Sequence, residues 1–263
     1  MVNSLIRLYR RLRYPRYGWF GRYASWQEAK QRCTGYDAGP ILQKILAGAQ
    51  QVKNGEAAWE RDGVLLPKVE YSWPLLASLL WIARQRNDSL SVLDFGGALG
   101  TTWFQNRHYL AGVKDLAWSI AEQADFVSAG RAHIAGNGLQ FYYTIEEAQQ
   151  AHGAHDVLLL GCVLPYLEDP YAFLQETSDR NFPYIIVENT YFNPVAGDRL
   201  TIQKVPPFYY EASYPAWMLD YDKVKELFLA RYELVAEYTN DTFLYFYGEK
   251  INYRGFVMKR RIQ

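Results

Sequence analysis

Between Val92 and Thr102 the chain reads Val-Leu-Asp-Phe-Gly-Gly-Ala-Leu-Gly-Thr-Thr, an apolar stretch that meets an acid and then a glycine-rich turn. Glycine lets the backbone take left-handed angles and lets a ligand approach closely. A helix starting just after such a turn points unpaired N–H groups at that ligand. Asp94, Gly96, Gly97 and Gly100 are therefore candidate binding residues for an anionic or carboxylate-bearing part of a nucleotide-like molecule. A plain strand-to-helix connection would need a single glycine.

Several nucleotide-binding patterns can be told apart by spacing. A dinucleotide fingerprint requires G-x-G-x-x-G with an acid about 20 residues on, and Ala98 breaks it. A Walker loop requires a Lys after its last glycine, and none follows Gly100. Asp94-Phe95-Gly96 spells the kinase metal-binding triplet, but no H-R-D loop precedes it. The segment resembles motif I of the class I S-adenosylmethionine-dependent methyltransferases, D/E-x-G-x-G-x-G, with Asp94, Gly96 and Gly100 matching and Ala98 at the middle glycine. The resemblance implies a Rossmann-like α/β fold: a seven-stranded methyltransferase sheet, parallel with one reversed strand, binding S-adenosylmethionine. The Ala98 departure leaves a degraded, non-catalytic site open.

The elements around motif I fit that expectation. Leu116–Ala121 reads as a second strand ending at Glu122 and Gln123, where an acid would accept hydrogen bonds from ribose hydroxyls. Gln140–Tyr143 reads as a third strand, and Thr144 with Glu147 forms a capping box for the next helix. By the resemblance, Tyr143 and Thr144 mark the adenine corner. The apolar run from Val157 suits a strand buried on both faces, and Asp169-Pro170 suits a helix start. The stretch from Asp156 to Pro170 resembles the motif IV region, which implies that Cys162 and Val163 pass beside the cofactor and Tyr166 beside the acceptor. Pro183–Val187 is a fifth strand, ending at Glu188.

More broadly, the chain from about Trp19 onward is similar to a bacterial methyltransferase family associated with surface-polysaccharide gene clusters. The likeness is carried by segments such as Cys33–Asp37, Glu56–Asp62, Val69–Trp81, Phe104–Arg107, Asp198–Pro207 and Ser213–Met218. It implies a saccharide or other polar small-molecule acceptor.

Composition is that of a globular enzyme: 263 residues, 49% hydrophobic, formal net charge zero. Zero net charge argues against a general nucleic-acid binder. Cys33 and Cys162 are far apart and form neither a disulfide framework nor a thiolate metal site. No apolar run approaches the roughly 18 residues of a membrane span, and no signal-peptide core is evident, so the expected location is the cytoplasm. Arg7, Arg10, Arg11, Arg13, Arg16 and Arg22 all precede the first acid, Glu28. The arm 1–24 therefore reads either as a basic helix on an anionic membrane or as one docked on its own domain or on a second subunit of a homo-oligomer.

These elements imply a helical cap over 25–88 and a methyltransferase domain over 89–263. The cap helices start at Ser25, at Asp37 to Pro40, and at Ser72. Glu70 and Tyr71 precede the last of these and are candidates beside the cofactor's methionine end and the acceptor. Residues 190–216, with Pro194, Pro206, Pro207 and Pro215, read as an irregular acceptor-site lid in which Arg199, Lys204 and Tyr209 supply binding groups. Two strands near Tyr232–Tyr238 and Tyr253–Met258 complete the sheet. The candidate general bases are His108, in the helix after motif I, and Glu188. His152 and His155 fall at the opposite edge of the sheet. No tight Asp/Asn cluster follows strand four, so no metal site is expected. Two other classes stay open: a non-catalytic scaffold of this fold, and an NAD-dependent sugar-modifying enzyme, which lacks an intact fingerprint here.

Overall fold

A computed structural model describes residues 16–35 and 38–262, with the side chain of Ala38 excluded. Arg7, Arg10, Arg11 and Arg13 of the basic arm, and the helix-start residue Asp37, lie outside the described residues.

In chain order β1 (Gly18–Phe20) falls within the arm, and the cap contains α1 (Trp26–Gln31), α2 (Ala38–Asn54), the strands β2 (Trp59–Arg61) and β3 (Val64–Leu66), and α3 (Trp73–Gln85). Ser25 caps α1 by accepting the Glu28 N–H. Ser72 precedes α3, but its hydroxyl makes no capping bond. The cap is thus not wholly helical. Asp62 and Gly63 both take left-handed angles and join β2 to β3, with Arg61 paired opposite Val64. Such a two-residue turn matches the twist of the strands it connects.

The larger domain follows with β4 (Ser89–Phe95), α4 (Thr101–Leu110), β5 (Asp115–Ala121), α5 (Ala124–Ala129), β6 (Leu139–Tyr142), α6 (Ile145–His152), β7 (Val157–Gly161), α7 (Pro170–Asp179) and β8 (Tyr184–Thr190). Then come β9 (Arg199–Lys204), β10 (Ser213–Met218), α8 (Tyr221–Leu229), β11 (Tyr232–Phe246) and β12 (Glu249–Arg260). Thr144, Asp169 and Asp220 cap α6, α7 and α8, each accepting a backbone N–H three residues on.

The seven-stranded sheet has the order β11-β12-β8-β7-β4-β5-β6. β4 to β8 pair in parallel, and β12 alone runs against them. That order, with its one reversed strand, is the Rossmann-like arrangement that the motif I resemblance implies. Side chains alternate between the faces of a strand. Val92, Val157 and Leu159 accordingly pack with α2, α3, α4 and α5, and Leu93, Leu158 and Leu160 with α6, α7 and α8. The strands are apolar throughout because both faces are covered.

Residues 190–216 are not an irregular lid. β9 and β10 pair antiparallel, and β1 adds to β9, giving a separate three-stranded sheet in which Trp19, Gln203 and Tyr214 are in register. Pro215 is accommodated on an edge strand, where no ladder donor is required. The final hairpin is also much longer than the two expected strands. Tyr247 and Gly248, both left-handed, form its tip, and the arm from Thr239 to Leu244 reaches back over the sheet's carboxyl edge.

Packing between α5 and β6 leaves no room at Gly130, where a Cβ would lie 2.5 Å from the Phe141 ring. Gly130→Ala is expected to destabilise by roughly 1–3 kcal/mol in urea unfolding. Gly112→Ala, with nothing within 4 Å, should be neutral or slightly stabilising.

Candidate active site

The carboxyl edge of the parallel strands opens into a cleft of about 2870 Å³. Pockets for a single small ligand typically measure about 300–1,000 Å³, so there is room for two molecules side by side. The strand ends, the β2–β3 hairpin, the β9–β10 sheet and the tip of the β11–β12 hairpin all line it.

One half is built on the β4–α4 turn. Gly96, Ala98 and Gly100 take φ of 75°, 48° and 93°, so the chain passes into α4 through left-handed residues. A Cβ on Gly96 would lie 2.6 Å from the Val163 side chain, and one on Gly97 would lie 2.7 Å from the Asp94 carboxylate. A side chain at either position would fill the cradle above Asp94. Ala98, replacing the motif glycine, still adopts the left-handed angle, and the turn keeps its shape.

Asp94 is 1% exposed, and Trp118 Nε1 donates to its Oδ2 at 3.2 Å. Burial pushes its carboxyl up to about 7, with the Trp118 bond opposing and the Glu122 charge assisting. Glu122, at the end of β5, is raised by burial, and its carboxylate accepts the Gln123 N–H. Gln123 and Tyr143 complete this half, and Arg131 lies 4.7 Å from the centre of the Tyr143 ring. Tyr71 also lines the cleft, stacked 4.9 Å from Trp73. Two carboxylates flanking a glycine cradle favour a cation and hydroxyl or ammonium donors, and repel a pyrophosphate.

The other half surrounds Glu188 on β8. Tyr238 donates to one carboxylate oxygen, and Asn240 Nδ2 donates to the other at 2.9 Å. Burial raises the Glu188 carboxyl, with the Tyr238 hydrogen bond opposing. Cys162, left-handed at φ 53°, donates its N–H to the Glu188 carbonyl at 2.9 Å. Its thiol is pushed up to about 12 by burial and is no nucleophile. Tyr166 donates to Gln203 Oε1 at 2.9 Å, and its ring meets Tyr214 at 5.5 Å. Val163, Glu70, Lys204 and Tyr209 also line the cleft.

Four expected positions fall elsewhere. His108 is exposed in the last turn of α4, against Tyr109, and is carried away from the cleft by the length of the helix. Thr144 is spent on the α6 cap, accepting the Glu147 N–H at 3.1 Å. Gly100 shapes the entry to α4 and packs under Leu139 without lining the cleft. Arg199 donates to the Gly21 carbonyl and the Tyr247 hydroxyl, tying β1 and the long hairpin to β9. His155, at the amino edge, bonds Ser119 Oγ at 2.9 Å and is held down to about 4 by burial.

Residues the sequence reading did not single out complete the site: Arg61 and Asp62 on the β2–β3 hairpin, Tyr253 on β12, and Tyr238 and Asn240 on β11. The Asp62-Gly63 pair was the available signal, since Asp-Gly between apolar runs marks a hairpin. No comparable signal marked Tyr238, whose role depends on strand register.

No protein-family model matches the sequence, and no curated protein matches it. Among solved structures, the chain is similar to magnesium protoporphyrin IX methyltransferase from Synechocystis PCC 6803 with bound S-adenosylhomocysteine, at 13% identity, 98% and 100% coverage of the two chains and a TM-score of 0.46. It is also similar to the N-terminal domain of EvdMO1 in the presence of S-adenosylhomocysteine and D-fucose (14% identity, 83% and 97% coverage, TM-score 0.44). A methyltransferase from Methanosarcina mazei gives 14% identity, 73% and 99% coverage and a TM-score of 0.46.

The raised Asp94 carboxyl makes the protein bind a proton more tightly when folded than when unfolded. Its contribution is complete at acid pH and is lost as pH rises through about 7. Urea unfolding of the ligand-free protein at pH 5, 6, 7 and 8 should therefore show Asp94→Asn gaining stability relative to wild type as pH rises, by up to a few kcal/mol.

Proposed function

We propose that the protein is an S-adenosylmethionine-dependent methyltransferase that methylates an oxygen of a saccharide or similar polar small molecule. The carrying observation is the acidic half-cleft, in which Asp94 and Glu122 flank a glycine cradle that side chains at Gly96 or Gly97 would fill. A sulfonium ligand with ammonium and ribose donors suits that chemistry, and the pyrophosphate of NAD does not. When bound, S-adenosylmethionine supplies an electrophilic methyl carbon. On this reading Asp94 and Gly97 hold its methionine end, Glu122 its ribose, and Tyr143 its adenine.

Glu188 is the proposed general base. A buried carboxylate with a raised pKa is better matched to proton removal near neutral pH than an exposed one. Tyr238 and Asn240 fix its orientation, one donor to each oxygen. The aromatic walls, including Trp19, Tyr166 and Tyr214, offer flat apolar surfaces for sugar rings and exclude water from the transfer.

The long sequence resemblance supports a role in bacterial surface-polysaccharide synthesis, on the cytoplasmic side. Among the described residues no helix is long and apolar enough to cross a membrane. The arginines ahead of Glu28 would place the enzyme at an anionic membrane surface. Co-sedimentation with phosphatidylglycerol vesicles should then fall when residues 1–15 are deleted, and unchanged binding would remove the membrane role.

The enzyme reading is tested by calorimetric titration with S-adenosylmethionine, S-adenosylhomocysteine and NAD. The first two should bind and NAD should not. Asp94→Ala should weaken binding at least tenfold, about 1.4 kcal/mol. Silence for both sulfur ligands in the folded protein would favour a scaffold of the same fold instead.

A further inference from the structure

Arg61 lines the cleft from the β2–β3 hairpin, and its guanidinium makes no direct ion pair with a described residue. It lies 5.8 Å from the centre of the Trp59 ring, and among the described residues no hydrogen bond engages it. The acids around it are committed or differently placed. Glu60, 1% exposed, accepts from the Thr101 hydroxyl and from the Gly63 N–H at 2.9 Å. Glu188 is held by Tyr238 and Asn240. Asp62, the next residue in the turn, makes no direct ion pair with it, but the Arg61 charge opposes the burial that raises the Asp62 carboxyl.

The hairpin that carries Arg61 is clipped to the cofactor turn. Trp59 Nε1 donates to the Thr101 carbonyl at 3.3 Å, and Glu60 takes the hydroxyl of the same residue. Thr101 is the first residue of α4, directly after the glycine turn. Arg61 is thereby held at a fixed position relative to that turn, and its charge is felt at Cys162, Glu188 and Tyr253. A planar guanidinium fixed in this way is suited to bidentate recognition of a carboxylate or phosphate. Arg199, the lid arginine expected to serve such a purpose, is consumed by Gly21 and Tyr247.

We infer that Arg61 is the specificity-determining residue for an acidic acceptor: a sugar bearing a carboxylate or a phosphate, whose anionic group docks on the β2–β3 hairpin while a neighbouring hydroxyl faces Glu188. Lys204, across the cleft on β9, adds long-range attraction without the fork geometry. The inference rests on the methyltransferase reading for the identity of the neighbouring ligand.

The test is calorimetric titration of the full chain, first with S-adenosylhomocysteine and then, at saturation, with D-glucuronate, glucose 1-phosphate and D-glucose. At least one acidic sugar should bind at least tenfold more tightly than D-glucose, and the pair distinguishes carboxylate from phosphate. Arg61→Gln should remove that preference while S-adenosylhomocysteine binds as before, which also reports an intact fold. Arg61→Lys should recover only part of it, and Lys204→Gln should cost less than Arg61→Gln. Equal binding of neutral and acidic sugars, no sugar binding at all, or an acid preference that survives in Arg61→Gln would overturn the inference. So would loss of S-adenosylhomocysteine binding in a folded Arg61→Gln protein, because Arg61 would then hold the cofactor. Failure of S-adenosylhomocysteine to bind the wild-type chain strikes the methyltransferase reading. An Arg61-dependent preference for acidic sugars would stand even then.

Discussion

The site depends on one steric constraint: the chain must leave β4 and enter α4 directly over a buried carboxylate. Asp94 lies beneath the turn, and the space a Cβ would take at Gly97 is already filled by its oxygens. The three left-handed residues at 96, 98 and 100 are what allow so tight a passage. Ala98 can take the same angle at a cost of about 1–2 kcal/mol relative to an ordinary conformation. The turn persists because β4, β5 and β7 pin it on both sides, with the Gly96 N–H donating to the Ala121 carbonyl at 2.9 Å.

The rest of the cleft is arranged around the resulting charge. Asp94 and Glu122 make one half acidic, and burial raises both carboxyls. The opposite half pairs a buried acid, Glu188, with a ring of tyrosines and with the guanidinium of Arg61. The β2–β3 hairpin joins the two halves mechanically because its donor and acceptor groups both end on Thr101.

Much of the α/β frame was legible in the chain. Short apolar runs such as Val157–Leu160 suit strands covered on both faces, and Ser25, Thr144, Asp169 and Asp220 mark their helices through cap chemistry. Asp94, Gly96, Gly97, Glu122 and Glu188 line the cleft because they sit where strands end, which local sequence marks well. The second sheet was hidden because β9 and β10 are stabilised by each other and by β1, far away in sequence, and the prolines nearby suggested irregularity. Arg199 and His108 misled for a related reason: residue type announces what a side chain can do, and only tertiary placement decides whether it faces ligand, solvent or a backbone carbonyl. The extra length of the final hairpin has no local signal, because Tyr247-Gly248 lacks the Asn or Asp that usually marks such a tip.

The strands of the acidic half are nearly contiguous, with β4, β5 and β6 falling between Ser89 and Tyr142. The opposite wall instead brings together Trp19, Gln203 and Tyr253, which lie far apart in sequence. A ribosome makes the first half long before the last strand emerges. Nascent chains can therefore pair β4, β5 and β6 early in synthesis, whereas the opposite wall of the cleft closes only once β12 has emerged. Premature termination anywhere after Tyr142 and before β12 would leave a protein with the strands beside Asp94 but without the far wall of the cleft.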